Sequence, residues 1–258
     1  MPTSLHRTIV YGPVLSRRLG VSLGLNLSPT DGKVCTFDCI YCECGLHRQR
    51  LPMSPPPTAT EVREALSQVL HDLAAEGVTV DSITMAGNGE PTVNPHFPAI
   101  MDAVCDLRDS LAPSARISVL TNATRMGVPA VASALGRADD TIAKLDAAEP
   151  DLVRLIDRPY GGYDVEGTIR TLAGFEGHLT IQTMFLTGVV GKRRVDNTGD
   201  ASVAAWLEAL RRIRPKAVMV YTIDRATPVE TLRKASPRTL DAIADRVRAI
   251  GLDALVSY

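Results

Sequence analysis

The feature that most constrains this chain is an alternation. Six short, mostly apolar β-type runs, at residues 21–27, 80–85, 117–122, 141–146, 179–185 and 217–222, are separated by segments of amphipathic helical period. Runs that are apolar on consecutive residues suit strands covered on both faces, and such strands belong to parallel sheets whose crossovers are helices. Helix ends are legible too. Thr58 and Glu61 have capping-box spacing ahead of Val62, Leu66, Val69 and Leu73, and Gly77 closes that helix. Ser236 and Pro237 open another, carrying Leu240, Ile243, Val247 and Ile250 before Gly251. Six β/α units predict an α/β fold, a partial (β/α)6 TIM-like barrel, with its chemistry in loops after the carboxyl ends of the strands.

With 45% hydrophobic residues, 258 residues can bury one sizeable core. A single domain over 1–258 is therefore expected, its core at about 11–225 and a C-terminal helix and tail at 236–258. No stretch reaches the roughly 20 apolar residues of a membrane span, and "MPTSLHRTIVYG" lacks the apolar segment of a secretory signal, so a cytoplasmic protein without a membrane partner is expected. A net charge of −1 gives no general attraction to polyanions, which makes nucleic acid a disfavoured partner.

The stretch "VCTFDCIYC", residues 34–42, holds three of the five cysteines. An odd, clustered set is a poor disulfide framework and suits thiols in a reducing compartment. Cys35, Cys39 and Cys42 form a CxxxCxxC directly after the first strand candidate. Dense thiolates bind zinc or iron–sulfur clusters. Structural zinc normally takes four ligands from two knuckles, and no second knuckle follows here. Cys44 lies two residues past Cys42 and points the other way in an extended chain, while Cys105 falls mid-helix, where a thiol behaves as a small apolar group. Three thiolates on a four-iron cluster leave one iron open to a ligand that is not protein.

This loop, with Tyr41 before its last cysteine, resembles the cluster loop of the radical S-adenosylmethionine (SAM) superfamily. After the second strand candidate, "AGNGEPTVNPHF" resembles that superfamily's Gly-Gly-Glu motif, with Asn88 where glycine is usual; "LTNAT" and "KLDAA" resemble the segments that hold the cofactor's ribose and carboxylate. More narrowly, "YGPVLSRRLGVSLGLNL", "GNGEPT" and "YTIDR" resemble the branch of wybutosine-biosynthesis-like iron–sulfur oxidoreductases, a match running from about residue 11 to 225. The resemblance implies an enzyme that carries a 4Fe–4S cluster and SAM and takes one electron from a reductant such as flavodoxin or ferredoxin. It implies reductive cleavage of SAM to a 5′-deoxyadenosyl radical, which abstracts hydrogen from a substrate.

Each candidate residue carries two readings. Gly87, Asn88 and Gly89 let backbone approach a ligand, with Glu90 as an anion for its ammonium, or they form an ordinary strand-to-helix turn. Thr121 and Asn122 end a strand, where Asn122 meets a sugar or carboxylate or caps the next helix. Lys144 and Asp146 share a strand face and meet the cofactor carboxylate and ribose, or pair with each other. Gln182 and Met184 share a face of the fifth strand, Gln182 contacting ribose or adenine or serving as a satisfied core amide. Phe37 and Tyr41 shield the cluster or pin the loop. At the barrel mouth, Arg17, Arg18, Asp224 and Arg225 are expected either to meet substrate or to close the barrel with a salt bridge.

No catalytic residue and no substrate follow from the sequence. The nearest branch implies a tRNA guanosine derivative, yet wybutosine-forming enzymes carry a second cluster, for which only Cys44 and Cys105 remain. The short chain also resembles glycyl-radical activating enzymes. A protein, peptide or small-molecule substrate is therefore preferred over tRNA. A non-enzymatic iron–sulfur carrier or sensor is the alternative of another class, and it has no use for the "GNGEP", "TNA" and "KLDAA" loops.

Overall fold

The computed structural model describes residues 5–16, 20–47 and 51–258. Its sheet runs in the order β1 (Val10–Ser16), β2 (Gly20–Leu25), β3 (Ser82–Met85), β4 (Arg116–Thr121), β5 (Asp140–Lys144), β6 (Thr180–Val190), β8 (Ala217–Thr222) and β10 (Ala254–Ser257). All are parallel except β1, which turns back along β2. Two short strands, β7 (Arg193–Asp196) and β9 (Arg233–Lys234), lie antiparallel against the far end of β6. The helices are α1 (Ala59–Ala75), α2 (Phe97–Leu111), α3 (Pro129–Leu135), α4 (Pro150–Ile156), α5 (Val165–Ala173), α6 (Asp200–Ile213) and α7 (Pro237–Ala249). This is the partial-barrel architecture expected of six β/α units.

Every expected strand has a counterpart. Three features differ. β6 continues to Val190, past the expected end at residue 185, because its last residues pair with β7 and β9 instead of the sheet's next strand. β1 adds an antiparallel edge. The tail after α7 is not an appendage: Ala254, Leu255 and Val256 pair with Val218, Met219 and Val220, so the chain end is a strand of the sheet.

Thr58 caps α1 as its spacing indicates: Glu61 N–H donates to Thr58 Oγ1 (3.3 Å) and Thr58 N–H to the Glu61 carboxylate (2.7 Å). The apolar stripe Val62, Leu66, Leu70 and Leu73 then packs with Ile100 and Val104 of α2 over Leu23, Leu25, Ile83 and Ile117 of the sheet, all buried. The opposite sheet face is polar low in the barrel, where Ser22, Thr84, Ser82 and Ser118 satisfy one another at 2.8 to 3.3 Å. A second, smaller apolar group, Ile40, Ile156, Leu186 and Val195, clamps the cysteine loop onto α4, β6 and β7. That clamp fixes where the thiols sit.

Candidate functional site

The cysteine loop is stitched in on two sides at the carboxyl end of the sheet. Val34 N–H donates to Asn88 O (3.0 Å) and Glu90 N–H to Val34 O (2.9 Å), while Asp38 and Ile40 N–H donate to Asp157 O and Ile156 O, both at 2.9 Å. Gly89, at φ +143°, is required here, since a Cβ on it would lie 1.8 Å from Val34 O. Phe37 is buried edge-on against Tyr163, with ring centroids 5.1 Å apart, and so pins the loop.

Cys35, Cys39 and Cys42 are half-buried, whereas Cys44 and Cys105 are buried. Cys39 senses the charges of Cys42 and Cys35, and Cys35 that of Cys42, as near neighbours on one loop. Cys35 Sγ accepts from Phe37 N–H (3.4 Å) and Asn122 Nδ2 (3.5 Å), and the Cys39 thiol donates to Asp157 Oδ1 (3.5 Å). Burial, then the Glu90 charge, pushes Cys35 up to about 12, and burial pushes Cys39 well above its ordinary value. Cys42 goes the other way, to about 6: the Cys44 thiol lies in hydrogen-bond reach and the Lys33 ammonium favours the thiolate. The Cys44 thiol also reaches Gly87 O (3.3 Å). The surroundings of Cys42 thus favour its thiolate, whereas a thiophilic metal would have to displace protons from Cys35 and Cys39.

Three half-buried thiols on one rooted loop, with Cys44 buried, suit a cluster held by three cysteines. Among the described residues no group of three or more His, Cys, Asp or Glu converges as a single metal ion would require. A four-iron cluster asks instead for sulfurs spread over separate iron atoms.

Glu90 is fully buried and ties three segments together. Its Oε1 accepts from Thr92 N–H (3.1 Å), Thr92 Oγ1 (2.5 Å) and Thr121 Oγ1 (2.7 Å), and its Oε2 from Asn122 N–H (2.6 Å). Thr121 thereby serves Glu90. Asn122 has both of its expected relationships: its Oδ1 accepts from Thr124 N–H (3.1 Å), as a cap does, while its Nδ2 reaches the cysteine loop at Thr36 Oγ1 (2.8 Å). The Asn88 side chain is wholly engaged inside the fold, donating to His6 O (2.9 Å) and Pro29 O (3.0 Å) and accepting from His6 N–H (2.8 Å). Only backbone remains there to meet a ligand.

Lys144 sits between two buried carboxylates. It pairs with Asp146 and, at 3.0 Å, with Asp157 Oδ1, and its ammonium lies over the Tyr41 ring, 4.5 Å from the centroid, in contact with the phenolic oxygen. Asp146 also accepts from Met184 N–H (2.9 Å) and contacts Tyr41 OH. Burial disfavours the ammonium, but Asp146, Asp157 and Cys39 outweigh it and raise the Lys144 pKa well above normal. Burial likewise raises Asp157, to about 7, against the pull of Lys144. The mutual ion pair foreseen for Lys144 and Asp146 is present. Gln182, opposite Lys144 in the register, is half-buried and has no side-chain hydrogen bond to a described residue. At the mouth, Arg225 pairs with Glu43 (2.7 Å) in an exposed bridge that closes the loop over the barrel, and Asp224 is exposed beside it. Arg17 and Arg18 lie outside the described residues.

Two site residues were not singled out from sequence: Asp157, brought to Lys144 by the end of α4, and Lys33. The Lys33 side chain is 1% exposed and donates to Gly45 O (2.9 Å) and Asp38 Oδ1 (3.3 Å). A lysine two residues before a CxxxCxxC is the only signal it offered.

Comparison with known proteins places this geometry. The Radical SAM superfamily model matches residues 30–197. A UPF0026 protein of Helicobacter pylori is 30% identical over 220 residues, 84% of this chain and 67% of that protein. A radical SAM methyltransferase from Sphaerobacter thermophilus superposes with a TM-score of 0.67 at 20% identity, covering 92% of this chain and 66% of that one. TYW1 with a lysine-pyruvate adduct bound gives a TM-score of 0.60 at 14% identity, covering 88% and 73%. The chain thus spans about two thirds of the length of the first two. No helix among the described residues is long and apolar enough to cross a membrane.

Proposed function

The chain belongs to the radical SAM superfamily, whose members use a 4Fe–4S cluster and SAM, and we propose that Cys35, Cys39 and Cys42 hold that cluster and leave its fourth iron to the cofactor. The observation that carries this is the placement of three half-buried thiols on one loop at the carboxyl end of the sheet, stitched to the Asn88–Glu90 segment and to the end of α4, beside the Lys144–Asp146–Asp157 network, with Cys44 buried. When bound, the pair supplies one-electron cleavage of a sulfonium and hydrogen-atom abstraction from a C–H bond.

The protein's part is placement and exclusion of water. Phe37 and Ile40, both buried, root the loop so that its thiols keep one geometry. Tyr41, next to Cys42 in the loop, is held by Lys144 and Asp146, and its ring serves to keep water from the thiols. Gln182, opposite Lys144 in the register, offers an amide with no side-chain hydrogen bond among the described residues, suited to a ribose or adenine. The backbone around Gly89 and the Asn122 side chain line the other side, next to Cys35.

Superfamily enzymes generally need a reductant such as flavodoxin, and we assign the same need to this one. For substrate, the near-neutral net charge of −1 favours a protein, peptide or small molecule. The "GNGEPT" and "YTIDR" segments favour a second reading, a tRNA base of the wybutosine type. Anaerobic reconstitution and reduction, followed by assay of 5′-deoxyadenosine with and without each substrate class, tests both. Iron uptake with 5′-deoxyadenosine release is expected; tight zinc with no bound iron defeats the proposal.

A further inference from the structure

We propose that Lys33 sets the reduction potential of the cluster: its buried ammonium is a fixed positive charge held inside the loop that carries the three cysteines, and it stabilises the electron that the cluster must accept. This inference rests on the function proposed above.

A lysine is almost never fully buried unless paired, and here the one acidic partner, Asp38, is itself more exposed than the ammonium it pairs with. Its acidic partner, Asp38 Oδ1, is shared with His47, which donates through its backbone N–H (2.9 Å) and lies 3.1 Å away through Nδ1. The second partner, Gly45 O, is a neutral carbonyl. Asp38, at 3.3 Å, offsets the positive charge only in part: the ammonium sits inside the loop that carries all three cysteines, bonded to the carbonyl of Gly45, whose own N–H donates to Cys42 O (2.9 Å), and Cys42, Cys35 and Cys39 each act on it more strongly than Asp38 does. A strap that only closed the loop from residue 33 to residue 45 would need a donor but no charge, and burying a charge for that purpose is costly. Three thiolates give a reason for it: they bring negative charge into a buried loop, and reduction adds one more. A unit charge buried in the same loop as the ligand sulfurs, where the effective dielectric is well below that of water, shifts such an equilibrium by about tenfold or more.

Lys33 is thus a positioning residue. It touches neither substrate nor the bond that breaks. The step it biases is simple: one electron passes from a low-potential one-electron donor to the cluster, and no bond is made or broken.

The test is a mediated redox titration, with dithionite as reductant and electron paramagnetic resonance as readout, on the anaerobically reconstituted full chain. Lys33→Met, which keeps the bulk and removes the charge, should lower the equilibrium constant for one-electron reduction at least tenfold, a fall of about 59 mV for one electron. Lys33→Arg should restore most of it. Asp38→Asn, which removes the opposing charge, should move the potential upward. A merely structural strap predicts no such opposition of sign. Lys33→Met with full iron and an unchanged potential overturns the inference. Should that variant fail to hold iron, Asp38→Asn decides, and a potential that stays put or falls overturns it as well. A wild-type protein that takes up no cluster overturns the proposed function itself.

Discussion

Glu90 Oε2 accepts the backbone N–H of Asn122 at 2.6 Å, joining the loop after β3 to the loop after β4 through a carboxylate with no exposure to solvent worth the name. Burial raises the Glu90 pKa, and its hydrogen bonds from Asn122, Thr92 and Thr121 only partly oppose this. A carboxyl whose folded pKa lies above its unfolded value of about 4.5 contributes stability that is full below that value and lost as pH rises through the folded pKa. Wild type should therefore lose stability relative to Glu90→Gln as pH rises above about 4.5, whatever constant offset the amide introduces. Urea unfolding of the cluster-free protein at several pH values reads the slope; a difference independent of pH refutes the shift. Glu90→Ala should cost about 2 to 4 kcal/mol at every pH, because it strands the N–H groups of Thr92 and Asn122.

The ligand assignment makes a sharp division among five cysteines. Cys35→Ala, Cys39→Ala and Cys42→Ala should each abolish the binding of about four iron atoms per chain and the broad charge-transfer absorption that accompanies it. Cys44→Ala and Cys105→Ala should keep both. Iron loss in the Cys44 variant would make that thiol a fourth ligand and remove the open iron.

How much of this was legible beforehand depended on whether a residue's role is local. The strands announced themselves through runs such as 80–85, and the α1 cap through Thr58 and Glu61, because periodicity and capping are short-range properties. The tail strand, Ala254–Ser257, did not, being four residues that are a strand only because β8 is there to pair with. Lys144 and Asp146 could be placed on one face by counting, but Asp157 could not: its carboxylate reaches Lys144 only after α4 folds across the sheet. Lys33 reads as one more surface lysine until the loop closes on Gly45.

Gln182 and Asp146 separate a ligand contact from a structural one. Gln182→Ala removes an amide that has no partner among the described residues, so it should leave thermal stability unchanged while weakening SAM binding by about 1 kcal/mol, roughly fivefold. Asp146→Ala should weaken SAM by on the order of 1.5 to 3 kcal/mol and also lower stability, since it leaves the Lys144 ammonium and Met184 N–H short of an acceptor. Calorimetric titration beside thermal melts tells them apart. A Gln182 variant that melts early but binds normally would mark the residue as a core amide.

The choice between tRNA and other substrates can be made by salt. The basic runs at 192–194 and 211–216 are partly neutralised within the fold: Arg194 pairs with Asp196, Arg211 with Glu208 and Arg212 with Glu166. Exposed pairs of this kind are weak, but they reduce the cations ready to displace counterions from phosphates. Each phosphate neutralised adds close to one unit to the slope of log affinity against log salt, so few contacts mean a shallow slope. Bulk tRNA is expected to bind in the range of roughly 10⁻⁴ to 10⁻⁶ M at physiological salt and not to stimulate 5′-deoxyadenosine release. Titration at two salt concentrations, run beside a turnover assay, checks both halves. Submicromolar binding with a steep slope and tRNA-dependent cleavage of SAM would decide for the wybutosine-type reading.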